Sequence, residues 1–224
     1  LAGEGFVLHW QPVMSLQGEP GELYEACLRV EVNGELVTPS GFLGIAEEHG
    51  LLAQIDRWVV RRLIEVLGER ERAGRKTGLI ARVSPASFAG EELVQLVRAE
   101  LAAQGVPGER LWLEAPEARV FTHLRSARQF LDAVAPLGCR VGLEQFGSGL
   151  DSFQMLAHFK PAFVKIDPGL TDGVGKGGEG QDKVRAITAR ARAEGIVTVA
   201  ERVDDAQAMS QLFSAGVEYV SGDF

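Results

Sequence analysis

A (β/α)8 barrel, in a TIM-like variant of the α/β class with one antiparallel strand, is the architecture this chain predicts. Three observations predict it. Apolar, β-branched-rich runs alternate with helical patterns along all 224 residues, a length within the roughly 200–250 residues such barrels take. Several of those runs are almost continuously apolar, as strands buried on both faces must be. The first two runs are joined only by residues 17–21, too few for a helix, so they form a hairpin and leave one barrel-edge strand antiparallel.

In order, Phe6–Trp10 and Leu23–Val30 are the hairpin strands. Ile55–Leu67 follows with Ile55, Trp58, Val59, Leu63 and Val66 on one helical side. Strand Leu79–Val83 leads to helix Glu91–Leu101, whose Leu93, Leu96, Val97 and Leu101 share a face. Strands Leu111–Glu114, Arg140–Glu144 and Phe163–Ile166 come next, then helix Val184–Ala193, strand Val197–Ala200, helix Ala206–Phe213 and strand Tyr219–Val220. Ser40, Ser87 and Asp204 read as helix N-caps. Leu43, Leu51 and Leu52 fall at helical spacing and read as core. Gly173–Gly180 reads as a flexible loop, since no strand runs directly into it as a phosphate cradle requires. The alternative is an open doubly wound sheet; against it, no Gly-rich dinucleotide turn follows the first strand.

This length suits one large domain or two small ones, and no repeat or low-complexity tract marks a boundary, so residues 1–224 are taken as a single domain. Apolar residues make up 46 % and charged residues 24 %, ordinary for a globular protein. A net charge of −8 argues against a nucleic-acid partner while leaving room for a small anion in a local basic pocket. Cys27 and Cys139 sit in apolar runs and read as buried free thiols. No apolar run reaches membrane-spanning length and no signal-peptide pattern opens the chain, so no membrane insertion is expected. A start at Leu1 rather than Met reads as a domain excised from a longer, multidomain cytoplasmic protein.

Barrels place functional groups at the C-terminal ends of their strands. Here those ends carry Glu25, Cys27 and Arg29; Arg82; Glu114; Glu144 and Gln145; Lys165 and Asp167; and Glu201. Singly each reads as a rim or ion-pair residue; together they suggest a site for a charged ligand.

Ordered motifs narrow that suggestion. They run through Gln11-Pro12, Glu25-Ala26-Cys27-Leu28-Arg29, Pro39-Ser40-Gly41-Phe42, Ala46-Glu47-Glu48-His49-Gly50-Leu51 and Asp56-Arg57-Trp58. Further on come Val83-Ser84, Glu114, Phe146-Gly147-Ser148-Gly149, Lys165-Ile166-Asp167, Ala200-Glu201 and Ser221-Gly222-Asp223-Phe224. In this order the chain resembles the EAL-domain family, whose intact members hydrolyse the bacterial second messenger cyclic di-GMP. The resemblance implies a site built for two Mg²⁺ or Mn²⁺ ions held by acidic residues and one Asn, with a Lys helping to activate water. Two metals suit an inert phosphodiester because they stabilise both attacking and leaving oxygens.

At the matching positions Glu25, Glu114, Lys165 and Glu201 are present, but the Asn is Arg82, the paired aspartates are Glu144 and Gln145, and the Gly after Ala-Glu is Arg202. A guanidinium only donates and cannot ligate a metal. Arg82 is therefore expected in the metal's place, paired with Glu25, Glu114 or Glu144, with no catalytic residue, no metal and no required cofactor. Lys165 is expected to salt-bridge Glu201 or Glu144 and to touch the ligand.

The positions that grip the nucleotide are better kept. By the resemblance Arg29 meets a phosphate, Gln11 a guanine edge and Asp56 a guanine N–H face, although Asp56 also reads as a helix N-terminal residue favoured by the dipole. Glu201, Asp204, Gly222, Asp223 and Phe224 lie toward the second guanine. Glu25, Ala26, Cys27, Leu28, Pro39, Arg82 and Lys165 complete the implied site. Ala81–Phe88, Gln145–Gly147 and the segment from Ala215 to Tyr219 are most similar to FimX-type regulators of type IV pili. That branch implies a receptor that binds without cleaving and signals to a PilZ-domain partner. The alternatives are a weak metal-dependent phosphodiesterase and a nucleotide-independent interaction barrel.

Overall fold

In the computed structural model of the chain, residues 5–149, 151–172 and 179–222 are described. Among these residues ten strands form one sheet: β1 Phe6–Pro12, β2 Met14–Ser15, β3 Glu22–Val32, β4 Glu35–Val37, β5 Thr77–Arg82, β6 Leu111–Pro116, β7 Arg140–Phe146, β8 Phe163–Ile166, β9 Val197–Ala200 and β10 Tyr219–Val220. The helices are α1 Pro39–Glu48, α2 Leu52–Arg72, α3 Glu92–Gln104, α4 Glu117–Thr122, α5 Leu124–Val134, α6 Ser152–Phe159, α7 Pro168–Thr171, α8 Glu179–Glu194 and α9 Ala206–Ser214.

The strand order is β1-β3-β5-β6-β7-β8-β9-β10-β2, and every pair from β3 to β10 is parallel. Both ends of that path belong to one stretch of chain. Phe6–Pro12 pairs antiparallel with β3, while Met14–Ser15 turns to pair antiparallel with β10. Val13, buried between them, donates its N–H to Leu23 O at 2.8 Å. The sheet thus returns to its own first segment and its edges are largely removed, which the barrel and the antiparallel strand expected of the sequence both require. The first strand runs further than predicted, and β4 is an added hairpin arm on β3. Its turn, Asn33-Gly34, has φ of 53° and 84°, the pattern a two-residue hairpin turn favours.

Inside the barrel the two-residue period of the strands sorts side chains into levels. Ile80, Trp112, Phe163 and Val199 form an apolar plug with Val13. Two residues further along the same strands stand Arg82, Glu114, Lys165 and Glu201. Phe163 is fully buried, with its ring 4.8 Å from that of Trp112. Gly142 makes room for it, since a Cβ there would lie 2.5 Å from the Phe163 ring. A larger apolar layer packs the outer strand faces against the helices.

The four predicted helices are present as α2, α3, α8 and α9, each longer than predicted, although α3 begins one residue later, at Glu92. The predicted caps are displaced by one local rule each. Pro39 takes the first turn of α1, so Thr38 is the cap and Ser40 lies inside the helix. Asp205, not Asp204, caps α9 and accepts from Ala208 N at 2.7 Å. Ser87 closes a 3-10 turn, Pro85–Ser87, and its hydroxyl points to Asp56 instead of capping α3. Leu43, Leu51 and Leu52 are half-buried against the core. Cys139 is buried as expected, but Cys27 is only half-buried. Most of the Gly173–Gly180 loop lies outside the described residues.

Truncating Phe163→Ala is expected to cost about 3–5 kcal/mol, the usual range for emptying a buried aromatic site. Urea denaturation of the variant beside the wild type measures it.

Candidate functional site

Above the plug, Lys165 is the hub. Its side chain is fully buried, and its Nζ donates to Glu25 Oε2 at 2.6 Å, Glu114 Oε1 at 2.8 Å and Glu201 Oε1 at 2.9 Å. Three donors meet three acceptors, from β3, from β6 and from the residue just past β9. Burial alone would push the ammonium's pKa down, but Glu114, Glu25 and Glu201 outweigh it and hold the pKa well above its ordinary value. Glu114 is fully buried, and burial pushes its carboxyl well up despite Lys165. Its Oε2 has no hydrogen-bond partner among the described residues. The expectation that Lys165 pairs with Glu201 is met; Glu144 is not among its partners, because Arg82 takes it.

Arg82 Nε donates to Glu144 Oε1. Glu144 is buried, which raises its pKa, and the Arg82 charge opposes that rise. The turn beyond Glu144 is anchored by a residue the motifs did not point to: buried Glu117, at the start of α4, accepts from Gly147 N at 3.0 Å. Two mouth residues hold left-handed backbone, Gln145 at φ 55° and Arg202 at φ 56°. At Arg202 the family resemblance places Gly, so a glycine-favoring conformation survives with an arginine in it.

Glu25 and Arg82 also face a cavity of about 370 Å³. Its walls are Ala26, Cys27, Leu28 and Arg29 of β3, Pro39, Leu43, Gly44 and Glu47 of α1, and Leu52, Ile55, Asp56 and Val59 of α2. Val83, Ser84 and Pro85 after β5, and Pro116 and Arg119 at α4, close it. Glu47 and Arg119 meet at 3.4 Å across α1 and α4. Arg29 spends one N–H on Leu28 O at 2.8 Å and has no carboxylate partner among the described residues, so most of its fork is available to an anion. Asp56, buried in α2, accepts from Ser84 N at 2.8 Å and from the hydroxyls of Ser84 and Ser87, each at 2.6 Å, all on Oδ2. It lies beyond the first turn of α2, so the helix-dipole role expected as its alternative has no geometric basis.

The predicted residues therefore fall into groups. Glu25, Ala26, Cys27, Leu28, Arg29, Pro39, Asp56 and Arg82 line one cavity. Lys165 does not line it; it is enclosed by its carboxylates and is out of reach of a ligand there. Gln11 sits opposite Glu25 in the β1–β3 ladder and donates to Gly222 O at 3.1 Å. Glu201 belongs to the Lys165 cluster, Asp204 is exposed before α9, and Asp223 and Phe224 lie outside the described residues. Ser84, Ser87, Glu117 and Arg119 were missed. Ser84 and Ser87 lie inside quoted motifs, and Ser87 was read as a helix cap; Glu117 and Arg119 carried no signal in the sequence.

The sequence pattern of the EAL domain matches residues 1–224. Among solved structures, the EAL domain of Xanthomonas citri FimX in complex with c-diGMP is 59 % identical, with a TM-score of 0.95 over 99 % of this chain and 87 % of that one. The Pseudomonas aeruginosa FimX EAL domain bound to c-di-GMP is 32 % identical, with a TM-score of 0.91 over 98 % of this chain and 88 % of that one. The cyclic di-GMP phosphodiesterase PdeF of Escherichia coli (strain K12) is 27 % identical over 218 residues, 97 % of this chain and 29 % of PdeF. The chain spans about three tenths of the length of the curated relatives it matches.

Because burial raises the folded-state pKa of Glu114, the native state holds an extra proton above the unfolded value of ~4.3. That group's contribution to stability is therefore present at low pH and falls as pH rises through this window. The stability of wild type minus that of Glu114→Gln is expected to decrease from pH 5 to pH 8 in urea titrations; a constant or rising difference would contradict this. Arg202→Gly is expected to stabilise by about 1 kcal/mol by relieving left-handed backbone, seen as a higher urea midpoint with unchanged slope.

Proposed function

The chain belongs to the EAL domain family, and from that premise we propose that it is a receptor that binds cyclic di-GMP without metal and without cleaving it. One observation carries this reading: cations already occupy the carboxylates that metals would need. Lys165 engages Glu25, Glu114 and Glu201, and Arg82 engages Glu144. Among the described residues no group of three or more His, Cys, Asp or Glu side chains is arranged to hold a metal ion. A divalent cation brought beside Arg82 meets repulsion of several kcal/mol at an effective dielectric of ~20. Gln145 supplies no charge where the family has an aspartate, and Glu144 is a methylene longer than the other, a change Mg²⁺ geometry tolerates poorly.

Ligand affinity then comes from the protein alone. Arg29 supplies a bidentate phosphate fork, Arg82 a second cation lining the same cavity, and the apolar walls from α1 and α2 accept a nucleobase. The two FimX domains, whose complexes hold this nucleotide, support the choice of ligand. In the whole protein we place the domain in the cytoplasm, upstream of a PilZ-domain partner in the control of type IV pili; this rests on likeness to the FimX branch. No helix among the described residues is long and apolar enough to cross a membrane.

A weak phosphodiesterase is the second reading, favoured by the unpartnered Glu114 Oε2, an orphan that a metal ion would satisfy. A proton on Glu114, whose pKa burial raises, offers another account of that orphan. Calorimetry with cyclic di-GMP in EDTA, then in excess Mn²⁺, with recovery of the nucleotide, separates the readings. Tight binding in EDTA with intact nucleotide is expected, and Mn²⁺-dependent cleavage would overturn the receptor. Arg29→Ala is expected to weaken binding at least tenfold; unchanged partner binding in a variant that no longer holds nucleotide would favour a nucleotide-independent interaction barrel.

A further inference from the structure

We infer that Ser84 and Ser87 are positioning residues for base recognition, clamping Asp56 so that its Oδ1 alone is presented to the cavity as an acceptor for a purine N–H. The inference rests on the cavity being the cyclic di-GMP site.

The clamp is lopsided. Ser84 N at 2.8 Å, Ser84 Oγ at 2.6 Å and Ser87 Oγ at 2.6 Å all donate to Oδ2, while Oδ1 accepts no hydrogen bond among the described residues. A carboxylate has about four lone-pair sites over two oxygens. Three donors therefore saturate Oδ2, and any further donor must go to Oδ1. Asp56 is 7 % exposed and nevertheless lines the cavity, so its remaining solvent-facing surface opens there.

The grip also comes from a separate element. Asp56 is carried on the long helix α2, and the serines sit in the turn beyond the end of β5, 28 and 31 residues away. A carboxylate on an isolated helix turns freely about its terminal bond. Here the turn Ser84–Ser87 stops that rotation before any ligand arrives. Burial raises the pKa of Asp56, and the hydrogen bonds from Ser84 and Ser87, with the charge of Arg57, oppose that rise. The result is a fixed anionic acceptor, suited to the N1–H or exocyclic amine of guanine and repelled by an edge that presents only lone pairs. Pre-organisation of this kind raises affinity by removing the cost of ordering the group on binding.

A double-mutant cycle tests it. Calorimetric Kd values for cyclic di-GMP would be measured for wild type, Ser84→Ala with Ser87→Ala, Asp56→Ala, and the triple variant, with thermal melts to confirm folding and Ser84→Thr as the conservative control. The paired serine variant is expected to bind roughly tenfold more weakly, the triple variant to match Asp56→Ala, and Ser84→Thr to bind like wild type. Serine losses of equal size with and without Asp56 would mean that the serines act on the fold, and would overturn the inference. So would an unchanged Kd in the serine pair, or in Asp56→Ala. A wild type that binds no cyclic di-GMP would overturn the receptor reading itself, and the inference with it.

Discussion

A single ammonium group organises the upper half of this barrel. Lys165 reaches carboxylates from β3, from β6 and from the residue just past β9, so three strands that share no direct ladder with one another are tied at one point. Desolvating a lysine and a glutamate costs several kcal/mol per ion, and only short, well-directed pairs offset it. Three contacts between 2.6 and 2.9 Å supply that geometry. With the lysine in place, Glu25, Glu114 and Glu201 can share the barrel mouth; without it, Glu114 would be a buried carboxyl with no partner among the described residues.

The plug beneath makes that arrangement strong. Trp112, Phe163, Ile80 and Val199 keep water from entering below, and a lower local dielectric strengthens both the attractions and the penalties above. The same low dielectric explains why Arg82 settles on Glu144: a buried carboxylate requires a partner, and Arg82 stands where it can supply one. Lys165 and Arg82 thus give each of the four mouth glutamates a cationic side-chain partner.

The cavity beside the mouth follows different chemistry. Its apolar walls come from α1 and α2, the Arg29 guanidinium from β3, and the Asp56 carboxylate from α2, steadied by the turn after β5. Arg82 and Glu25 belong to both regions. Through those two residues, a ligand in the cavity would sense the Lys165 cluster without touching the lysine.

Much of this was written in the sequence. The main strands, four of the helices, the hairpin at the start and the charged strand ends follow from periodicity and residue type, because a strand's two-residue repeat assigns Trp112 and Glu114, or Phe163 and Lys165, to one face. The substitutions at Arg82, Glu144 and Gln145 were equally plain as chemistry. What the chain alone left open was pairing. It allowed Arg82 three partners and gave Lys165 a carboxylate that Arg82 in fact holds. It named Ser87 a helix cap, although Ser87 turns to a carboxylate 31 residues earlier. Local patterns fix which face a side chain occupies, whereas hydrogen bonds and ion pairs form between strands and helices far apart in sequence. Their choice depends on distances of a few ångströms that only the closed barrel sets.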